Sequence, residues 1–301
     1  MKSNLAVFLI FVFFSLTASA ELTKCSSHHS KILAKEISYC IQRSRPELTN
    51  DNEPVIYFMH GLGGNETTWS RGGYSEALHL ISSGNAEFPA LTFVSFETEM
   101  DSFFSDFGGS DRGRKAYETW FIQEFIPFIE GNYPVCRERK CRGVAGVSMG
   151  GFGALKFALK YPDLFAIAAA NSAALPPFSI HAEDSAWRDY FSKTKIGVVK
   201  GMVLLRDVRK IFPTQELYEL NDPITMTESF EGSLPPPNLY FDVGSEDNFG
   251  FQVGFEIFKN RLDQKHFSYE SFIEPEGDHF IYHHRNKDLI DFIGNHFSKV
   301  R

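Results

Sequence analysis

The sequence predicts an α/β fold, in which a mainly parallel sheet carries helices on both faces. Short and nearly continuous apolar segments, such as Pro54–Met59 and Leu239–Gly244, are typical of strands buried in a parallel sheet. Amphipathic segments alternate with them, which is the pattern of strands joined by crossover helices. Polar and glycine-rich loops follow the apolar segments directly, at the sheet edge where open α/β sheets bind ligands.

Each predicted element follows from its local pattern. The predicted strands are Ile32–Ile41, Pro54–Met59, Leu91–Phe96, Val144–Val147, Leu164–Ala170, Leu239–Gly244 and Phe267–Ile273. The predicted helices are Lys115–Tyr133, which Pro127 kinks or shortens, Gly151–Lys160, Phe249–Leu262 and Asp288–Phe297. Residues 173–237 are less regular and contain two proline clusters, so we interpret this range as a cap-like insertion over the sheet edge.

The composition is that of a globular protein with a large core. Of 301 residues, 43% are hydrophobic and 15% are aromatic, so one α/β domain over residues 21–301 is expected. The formal net charge of −8 argues against nucleic acid as a partner, because phosphate contacts need clustered lysine and arginine.

The first 20 residues have the pattern of a secretory signal peptide. Lys2 precedes an apolar segment over Leu5–Phe14, and Ala18-Ser19-Ala20 forms a cleavage site before Glu21. The alternative is an uncleaved anchor, but the apolar segment is short for a membrane span of about 20 residues. We therefore expect a secreted or periplasmic mature protein without stable membrane insertion.

Four cysteines lie in the expected mature chain. In an oxidising compartment an even number of cysteines indicates disulfides, and four cysteines allow three pairings. Proximity in the sequence favours Cys25–Cys40 and Cys136–Cys141, with free buried thiols as the alternative. The spacing lacks the paired C-x-x-C motifs of a zinc site, so no metal is expected.

The segment Gly146-Val147-Ser148-Met149-Gly150 has the form of a nucleophile elbow. A serine at the tip of such a strand-to-helix turn is held in strained geometry, and the glycines let strand and helix pass closely. The motif alone is weak, because it occurs by chance in roughly one chain in ten of this length. Its position between a predicted strand and a predicted helix favours Ser148 as a nucleophile over an ordinary serine in a turn.

A serine nucleophile needs a general base, and the base needs an orienting acid. In α/β-hydrolases they follow in the chain order serine, acid, histidine. Asp247 and His279 fit this order, because each lies in a loop after one of the last two predicted strands. The sequence leaves open Glu246 and Asp242 as alternative acids, and His283 and His284 as alternative bases.

Two backbone N–H groups must stabilise the negative charge that develops on the substrate oxygen. Leu62, in the glycine loop after the strand Pro54–Met59, and Met149, directly after Ser148, occupy the corresponding positions. Candidates for lining a substrate cleft are His60, Trp69, Phe103, Phe104 and Trp187, and core packing is the alternative role of each aromatic side chain.

Several segments together closely resemble the esterase D-like family of α/β-hydrolases. They are His60–Gly64 with Trp69, Ala145–Ala154, Tyr161–Phe165 and Gly244–Asp247. This family includes S-formylglutathione hydrolases, feruloyl and acetyl xylan esterases, enterochelin esterases and antigen 85 mycolyltransferases. The resemblance covers roughly residues 32–297.

The resemblance implies an α/β-hydrolase fold and a role for each matching position. Ser148 corresponds to the nucleophile, Asp247 to the acid and His279 to the base, while Leu62 and Met149 correspond to the oxyanion donors. Many members of the family have glycine directly before the histidine, where this chain has Asp278.

These observations predict an exported serine carboxylesterase that acts through an acyl-enzyme on Ser148 and needs no cofactor. The expected substrate is a small-molecule or glycan-linked ester. Acyl transfer to an alcohol is a second hypothesis, since it proceeds through the same acyl-enzyme. A non-catalytic binding protein that retains the fold is a third.

Overall fold

The structure is a computed structural model that describes residues 22–48, 52–109, 113–230, 235–280 and 283–299. The predicted signal peptide, residues 1–20, lies outside the described residues. No helix within the described ranges has the length and apolar character needed to cross a membrane.

Within the described residues, eight strands form one sheet in the order β1-β2-β4-β3-β7-β8-β9-β10. The strand bounds are Lys24–Ser30 (β1), Lys35–Arg43 (β2), Val55–Met59 (β3), Thr92–Phe96 (β4), Asp106–Gly109 (β5), Gly113–Ala116 (β6), Arg142–Val147 (β7), Ile167–Asn171 (β8), Asn238–Gly244 (β9) and Tyr269–Glu274 (β10). β5 and β6 form a separate hairpin. The pairings from β4 to β10 are parallel, whereas β2 pairs antiparallel with β1 and β4. The predicted mainly parallel sheet is therefore confirmed.

Helices cover both faces of this sheet, as predicted. The bounds are Thr68–Arg71 (α1), Tyr74–Gly84 (α2), Tyr117–Trp120 (α3), Ile126–Asn132 (α4), Met149–Lys160 (α5), Asp184–Ser192 (α6), Gly197–Ile211 (α7), Gln215–Glu219 (α8), Pro223–Glu228 (α9), Gln252–Gln264 (α10) and His283–Ser298 (α11). Leu78 of α2 and Ile290 of α11 are buried in one apolar layer, and Leu155 of α5 and Phe258 of α10 in the other. Successive residues of the central strands alternate between the two layers, which makes these strands apolar along their whole length.

The predicted strand Ile32–Ile41 is partly wrong. The chain turns at residues 31–34 between β1 and β2, and Ala34 has a left-handed φ of 52° in this turn. β1 has a polar sequence, Lys-Cys-Ser-Ser-His-His-Ser, and is mostly exposed at the edge of the sheet. Hydrophobic periodicity reveals a strand only when one of its faces is buried, so the pattern does not indicate β1.

The predicted helix Lys115–Tyr133 is shorter and less regular than expected. Lys115 and Ala116 belong to β6, and α3 and α4 are joined by a π-helical turn over Phe121–Phe125. Pro127 follows this turn at the start of α4. Proline has no N–H to donate, and its ring would clash with the preceding turn of a regular α-helix. The wider π-helical turn lies at the place where this clash would occur.

In its described residues, the range predicted as a cap-like insertion contains four helices, α6 to α9, between β8 and β9. Trp187 and Phe191 of α6 and Leu205 of α7 are buried together in the larger apolar layer. Gly201 allows α7 to lie close to α6, because a Cβ atom there would stand 2.4 Å from the Phe191 ring. The helical insertion is therefore packed on the sheet rather than loosely attached.

Two disulfides join Cys25 to Cys40 and Cys136 to Cys141, the pairings that proximity favours. Cys25 and Cys40 are direct neighbours in the register of β1 and β2. This link holds the exposed edge strand to the sheet.

We expect the double substitution Cys25→Ala and Cys40→Ala to lower the free energy of unfolding by about 3 kcal/mol. The disulfide closes a loop with a sequence separation of 15 residues, so its loss frees the unfolded chain. Urea denaturation of both proteins measures the difference, with Ser27→Ala on the same exposed strand as control. A loss below about 1 kcal/mol would contradict this account.

Candidate active site

Ser148 lies at the turn between β7 and α5. Its φ of 56° and ψ of −116° are strained for a residue with a side chain. Its N–H donates to the carbonyl oxygen of Asn171 at 2.9 Å, and its own carbonyl oxygen accepts from the N–H of Ala174 at 3.0 Å. These two hydrogen bonds to the chain around the end of β8 hold the strained residue in place.

Close backbone packing explains the glycines on both sides of Ser148. A Cβ atom at Gly146 would lie 2.4 Å from the backbone of Gly150. A Cβ atom at Gly150 would lie 2.0 Å from the carbonyl oxygen of Met59. Because the obstructing atoms belong to the backbone, no side-chain movement could make room for a larger residue at either position.

The side chains of Ser148, His279 and Asp247 form a chain of hydrogen bonds. Ser148 Oγ lies 2.9 Å from His279 Nε2, and His279 Nδ1 lies 2.6 Å from Asp247 Oδ2. A carboxylate only accepts hydrogen bonds, so Nδ1 carries the proton and Nε2 is left to accept from the serine hydroxyl. The structure brings together three side chains that the sequence places in separate loops.

The aspartate and the histidine are both held firmly. The Asp247 side chain is fully buried, and its Oδ1 accepts from the N–H of Phe249 at 2.8 Å. The backbone N–H of His279 donates to Asn248 Oδ1 at 3.0 Å. The rings of Phe249 and Phe251 stand edge-on to the imidazole, with centroid distances of 4.5 and 5.6 Å.

Of the residues that the sequence left open as alternative acids or bases, three lie next to partners of their own. Glu246 is exposed and takes part in a surface ion pair. Asp242 is buried in a network with Arg285, and His284 is in an ion pair near the surface. The side chain of His283 lies outside the described residues.

The two residues expected to supply oxyanion donors lie beside Ser148. Met149 is the first residue of α5, so its N–H has no partner within the helix. Leu62 lines the same cleft as Ser148. It follows Gly61, where a Cβ atom would lie 3.5 Å from Ser148 Cβ. The loop is held by the N–H of Gly63, which donates to the carbonyl oxygen of Met100 at 2.9 Å.

His60 does not line the cleft, which corrects the prediction from the sequence. It is 1% exposed, and its Nε2 accepts from the backbone N–H of Thr98 at 3.2 Å. Its Nδ1 lies 2.8 Å from the carbonyl oxygen of Gly61. Burial lowers the pKa of His60 to about 4, so the ring is neutral at pH 7 and donates from Nδ1. His60 supports the Leu62 loop from below.

An apolar cleft opens beside Ser148, between the sheet edge and the helices of the insertion. Its lining includes Leu62, Phe103, Met149, Phe152, Trp187, Tyr190, Phe191, Leu204, Leu205, Val208, Phe212 and Tyr218. Apolar atoms make up most of the surface of this cleft, as is usual for small-molecule sites. Phe103 and Trp187 therefore lie where the sequence predicted, and the insertion forms much of the wall.

Trp69 and Phe104 lie in the core and not in the cleft, which also corrects the prediction. Each is 1% exposed. Trp69 Nε1–H donates to Gln42 Oε1 at 2.7 Å. Phe104 packs on α5, where a Cβ atom at Gly153 would lie 2.9 Å from its ring. Sequence alone does not distinguish these rings from Phe103, because the direction of a side chain depends on the folded backbone.

A buried ion pair between Lys156 and Glu118 supports the cleft wall. Lys156 Nζ donates to the carbonyl oxygen of Phe104 and to Ser105 Oγ, both at 2.7 Å, and lies 3.1 Å from Glu118 Oε2. Phe103 and Phe104 have left-handed φ values of 47° and 51°. The ammonium group thus stabilises the strained turn that directs Phe103 into the cleft. The only sequence signal was a lysine inside an otherwise apolar helical segment.

A second buried cation, Arg285, lies beneath the loop that carries His279. Its guanidinium donates to the carbonyl oxygens of Asp278 and Phe280, the residues before and after the histidine. Its Nη1 lies 3.3 Å from Asp242 Oδ1, and both side chains are fully buried. Burial raises the pKa of Asp242 to about 6, although Arg285 opposes the shift. The sequence pattern gave no indication of this contact.

A strained elbow serine, hydrogen-bonded to a histidine and an aspartate at the edge of a mainly parallel sheet, defines the class of α/β-hydrolases. A family model described as "Putative esterase" matches residues 34–294. The chain therefore belongs to this esterase family, and the resemblance found in the sequence is confirmed.

Several curated relatives are named as esterases. The chain is 27% identical over 241 residues to an esterase of Mycobacterium tuberculosis, a match that covers 75% of this chain and 49% of the relative. It is 25% identical over 215 residues to an acetyl esterase of Caldicellulosiruptor saccharolyticus, covering 68% of this chain and 70% of that protein. The chain thus spans about half the length of the mycobacterial relative.

Solved structures share the fold. A ferulic acid esterase superposes with a TM-score of 0.67 and 21% identity, covering 91% of this chain and 98% of the other. An S-formylglutathione hydrolase from Agrobacterium tumefaciens superposes with a TM-score of 0.69 and 16% identity, covering 92% and 94%. The common architecture is the α/β-hydrolase fold.

The ion pair of Glu118 predicts a pH-dependent stability. Burial alone would raise the pKa of Glu118, but Lys156 and Lys160 outweigh it and lower the pKa to about 2 from an ordinary value of 4.5. A lowered carboxyl pKa contributes stability above pH 4.5 that is lost as the pH falls towards 2.

We expect Glu118→Gln to be less stable than the wild type at pH 7 by up to about 3 kcal/mol. The difference should shrink between pH 4.5 and pH 2, because the carboxyl group of Glu118 then binds a proton in the unfolded chain while it stays ionised in the folded protein. Chemical denaturation at several pH values measures it, with the exposed Glu138→Gln as control. A difference in stability that does not change with pH would show that Glu118 does not stabilise the protein through its charge.

Proposed function

We propose that the protein is an exported serine carboxylesterase. The observation that carries the proposal is the hydrogen-bonded chain from Ser148 through His279 to Asp247, at a strained elbow that opens into an apolar cleft. Membership of the esterase family and the names of the curated relatives support ester hydrolysis as the reaction.

The proposed reaction begins when Ser148 Oγ attacks the carbonyl carbon of the ester. His279 Nε2 takes the hydroxyl proton, and Asp247 stabilises the resulting imidazolium through Nδ1–H. The N–H groups of Leu62 and Met149 stabilise the negative oxygen of the tetrahedral intermediate. The intermediate collapses to an acyl-enzyme as His279 gives its proton to the departing alcohol.

Water completes the reaction by the same steps in the opposite direction. His279 removes a proton from a water molecule as it attacks the acyl carbon, and then returns a proton to Ser148 as the acid departs. Ser148, His279 and Asp247 therefore account for every proton transfer in the proposed reaction. Hydrolysis requires only that water reach the acyl-enzyme from the side of His279.

Two observations support export. The first 20 residues have the pattern of a cleavable signal peptide. The structure contains two disulfides, which persist mainly in oxidising compartments. We infer a secreted or periplasmic mature protein that begins at Glu21, and mass spectrometry of the exported protein measures this terminus directly.

Substitution of Ser148 by alanine tests the nucleophile. We expect Ser148→Ala to lower kcat on p-nitrophenyl butyrate by at least about 10⁴-fold, because no other group can form the acyl-enzyme. A fluorophosphonate probe should label the wild type at Ser148 and leave the variant unlabelled. Ser192→Ala, at an exposed serine of α6, is the matched control and should behave as the wild type.

The outcomes distinguish the proposed functions. Activity of Ser148→Ala close to that of the wild type would reject the nucleophile, and a wild type that neither reacts nor is labelled would indicate a binding protein. Product analysis with added glycerol separates hydrolysis from acyl transfer. Free acid as the main product supports an esterase, whereas glycerol ester as the main product would favour a transferase.

Arg285 offers a test of how His279 is positioned. Its guanidinium holds the carbonyl groups on both sides of the histidine, and lysine keeps the charge beside Asp242 but cannot contact several groups in one plane. We expect Arg285→Lys to lower kcat at least tenfold while the KM for p-nitrophenyl butyrate changes little.

The readouts separate positioning from general instability. Circular dichroism should show a folded variant, and fluorophosphonate labelling of Ser148 should be slowed along with kcat. Lys287→Met, a neighbouring surface position on α11, is the control. An unchanged kcat in folded Arg285→Lys would rule out the positioning role.

A further inference from the structure

We propose that the cleft beside Ser148 binds the alkyl chain of a medium- or long-chain acyl group, so that the natural substrate is an aliphatic fatty acyl ester. The inference rests on the proposed function, because it concerns the same serine. It names the part of the substrate that the insertion recognises.

The polar side-chain atoms around the cleft are already paired within the protein. Trp187 Nε1–H donates to the carbonyl oxygen of Ser179 at 3.2 Å. The hydroxyl of Tyr190 donates to the carbonyl oxygen of Gly250 at 2.7 Å. Tyr218 is buried and hydrogen-bonded to Asp222. These aromatic groups therefore present ring surface, and not donors or acceptors, to a bound molecule.

The described residues that line the cleft also carry no charge. A phenol, a sugar or a carboxylate bound there would lose hydrogen bonds to water and find few replacements, and burying an unpaired polar group is costly. An acetyl group has no such cost, but its one methyl group can contact only a few of the apolar side chains that line the cleft. An alkyl chain can contact many of these side chains and matches their apolar character.

The order of the reaction steps indicates that the cleft binds the acyl part of the ester rather than the alcohol part. The alcohol must depart before water can attack, and it takes its proton from His279 Nε2, on the histidine side of Ser148. The acyl group stays bound to Ser148 through both steps. An apolar cleft beside Ser148 therefore suits the group that remains attached to the serine.

The helix α7 provides a wall that can be changed without touching the hydrogen-bonded side chains. Leu204, Leu205 and Val208 of this helix line the cleft. Val203, next to Leu204, is 47% exposed and does not line it. The two neighbouring positions thus form a matched pair, one that faces the proposed alkyl chain and one that faces solvent.

A series of p-nitrophenyl esters tests the acyl preference of the wild type. We expect kcat/KM to rise at least tenfold from acetate to octanoate, and ethyl ferulate to be a poorer substrate than octanoate. Acetate esters of long-chain alcohols should show no comparable rise with the length of the alcohol. A maximum at acetate or ferulate, or a rise only with alcohol length, would overturn the proposal while leaving an active esterase.

The matched variants test where the alkyl chain of the substrate binds. We expect Leu204→Trp to lower the octanoate-to-acetate ratio of kcat/KM at least tenfold, because the larger ring fills the cleft. Val203→Trp should keep the wild-type ratio and the wild-type thermal midpoint. An unchanged ratio in folded Leu204→Trp would place the alkyl chain elsewhere and reject this site. Failure of the wild type on every ester would instead reject the proposed function.

Discussion

The close approach of α5 to the end of β3 is the constraint on which the rest of the site depends. The backbone of Gly150 lies so near the carbonyl oxygen of Met59 that no Cβ atom fits between them. This contact forces the chain to turn sharply at Ser148, which adopts a positive φ and projects its hydroxyl beyond the sheet edge. The same geometry leaves the N–H of Met149 without a partner within the helix and brings the Leu62 loop alongside.

The site divides its tasks between the sheet and the insertion. Loops at the carboxyl ends of β3, β7, β9 and β10 carry the residues proposed for chemistry, whereas α6 to α8 provide apolar walls. Two buried cations support the segments that form the site. Lys156 lies under the Phe103 turn, and Arg285 lies under the His279 loop. Burying a charge is costly unless it is paired, and both cations have a carboxylate partner and carbonyl acceptors. Their arrangement fixes loops that have little regular structure of their own.

Solved structures with the same fold are named for different substrates. The fold is shared with a ferulic acid esterase and an S-formylglutathione hydrolase, two enzymes named for very different substrates, at identities of 21% and 16%. A common fold therefore does not define a substrate. In this chain much of the wall beside Ser148 comes from residues 173–237, the least regular part of the sequence. The alkyl preference that we propose is a property of those walls.

The sequence by itself determined the parallel core strands, the elbow glycines and the loops that carry Ser148, Asp247 and His279, because local hydrophobic patterns and short motifs report burial and turns. It missed β1, which has no buried face, and the π-helical turn before Pro127. It also assigned His60, Trp69 and Phe104 to a cleft that they do not line. Only the tertiary structure decided which aromatic rings face the cleft and where Arg285 and Lys156 act, because those contacts join residues far apart in the chain, and their direction depends on how the elements pack.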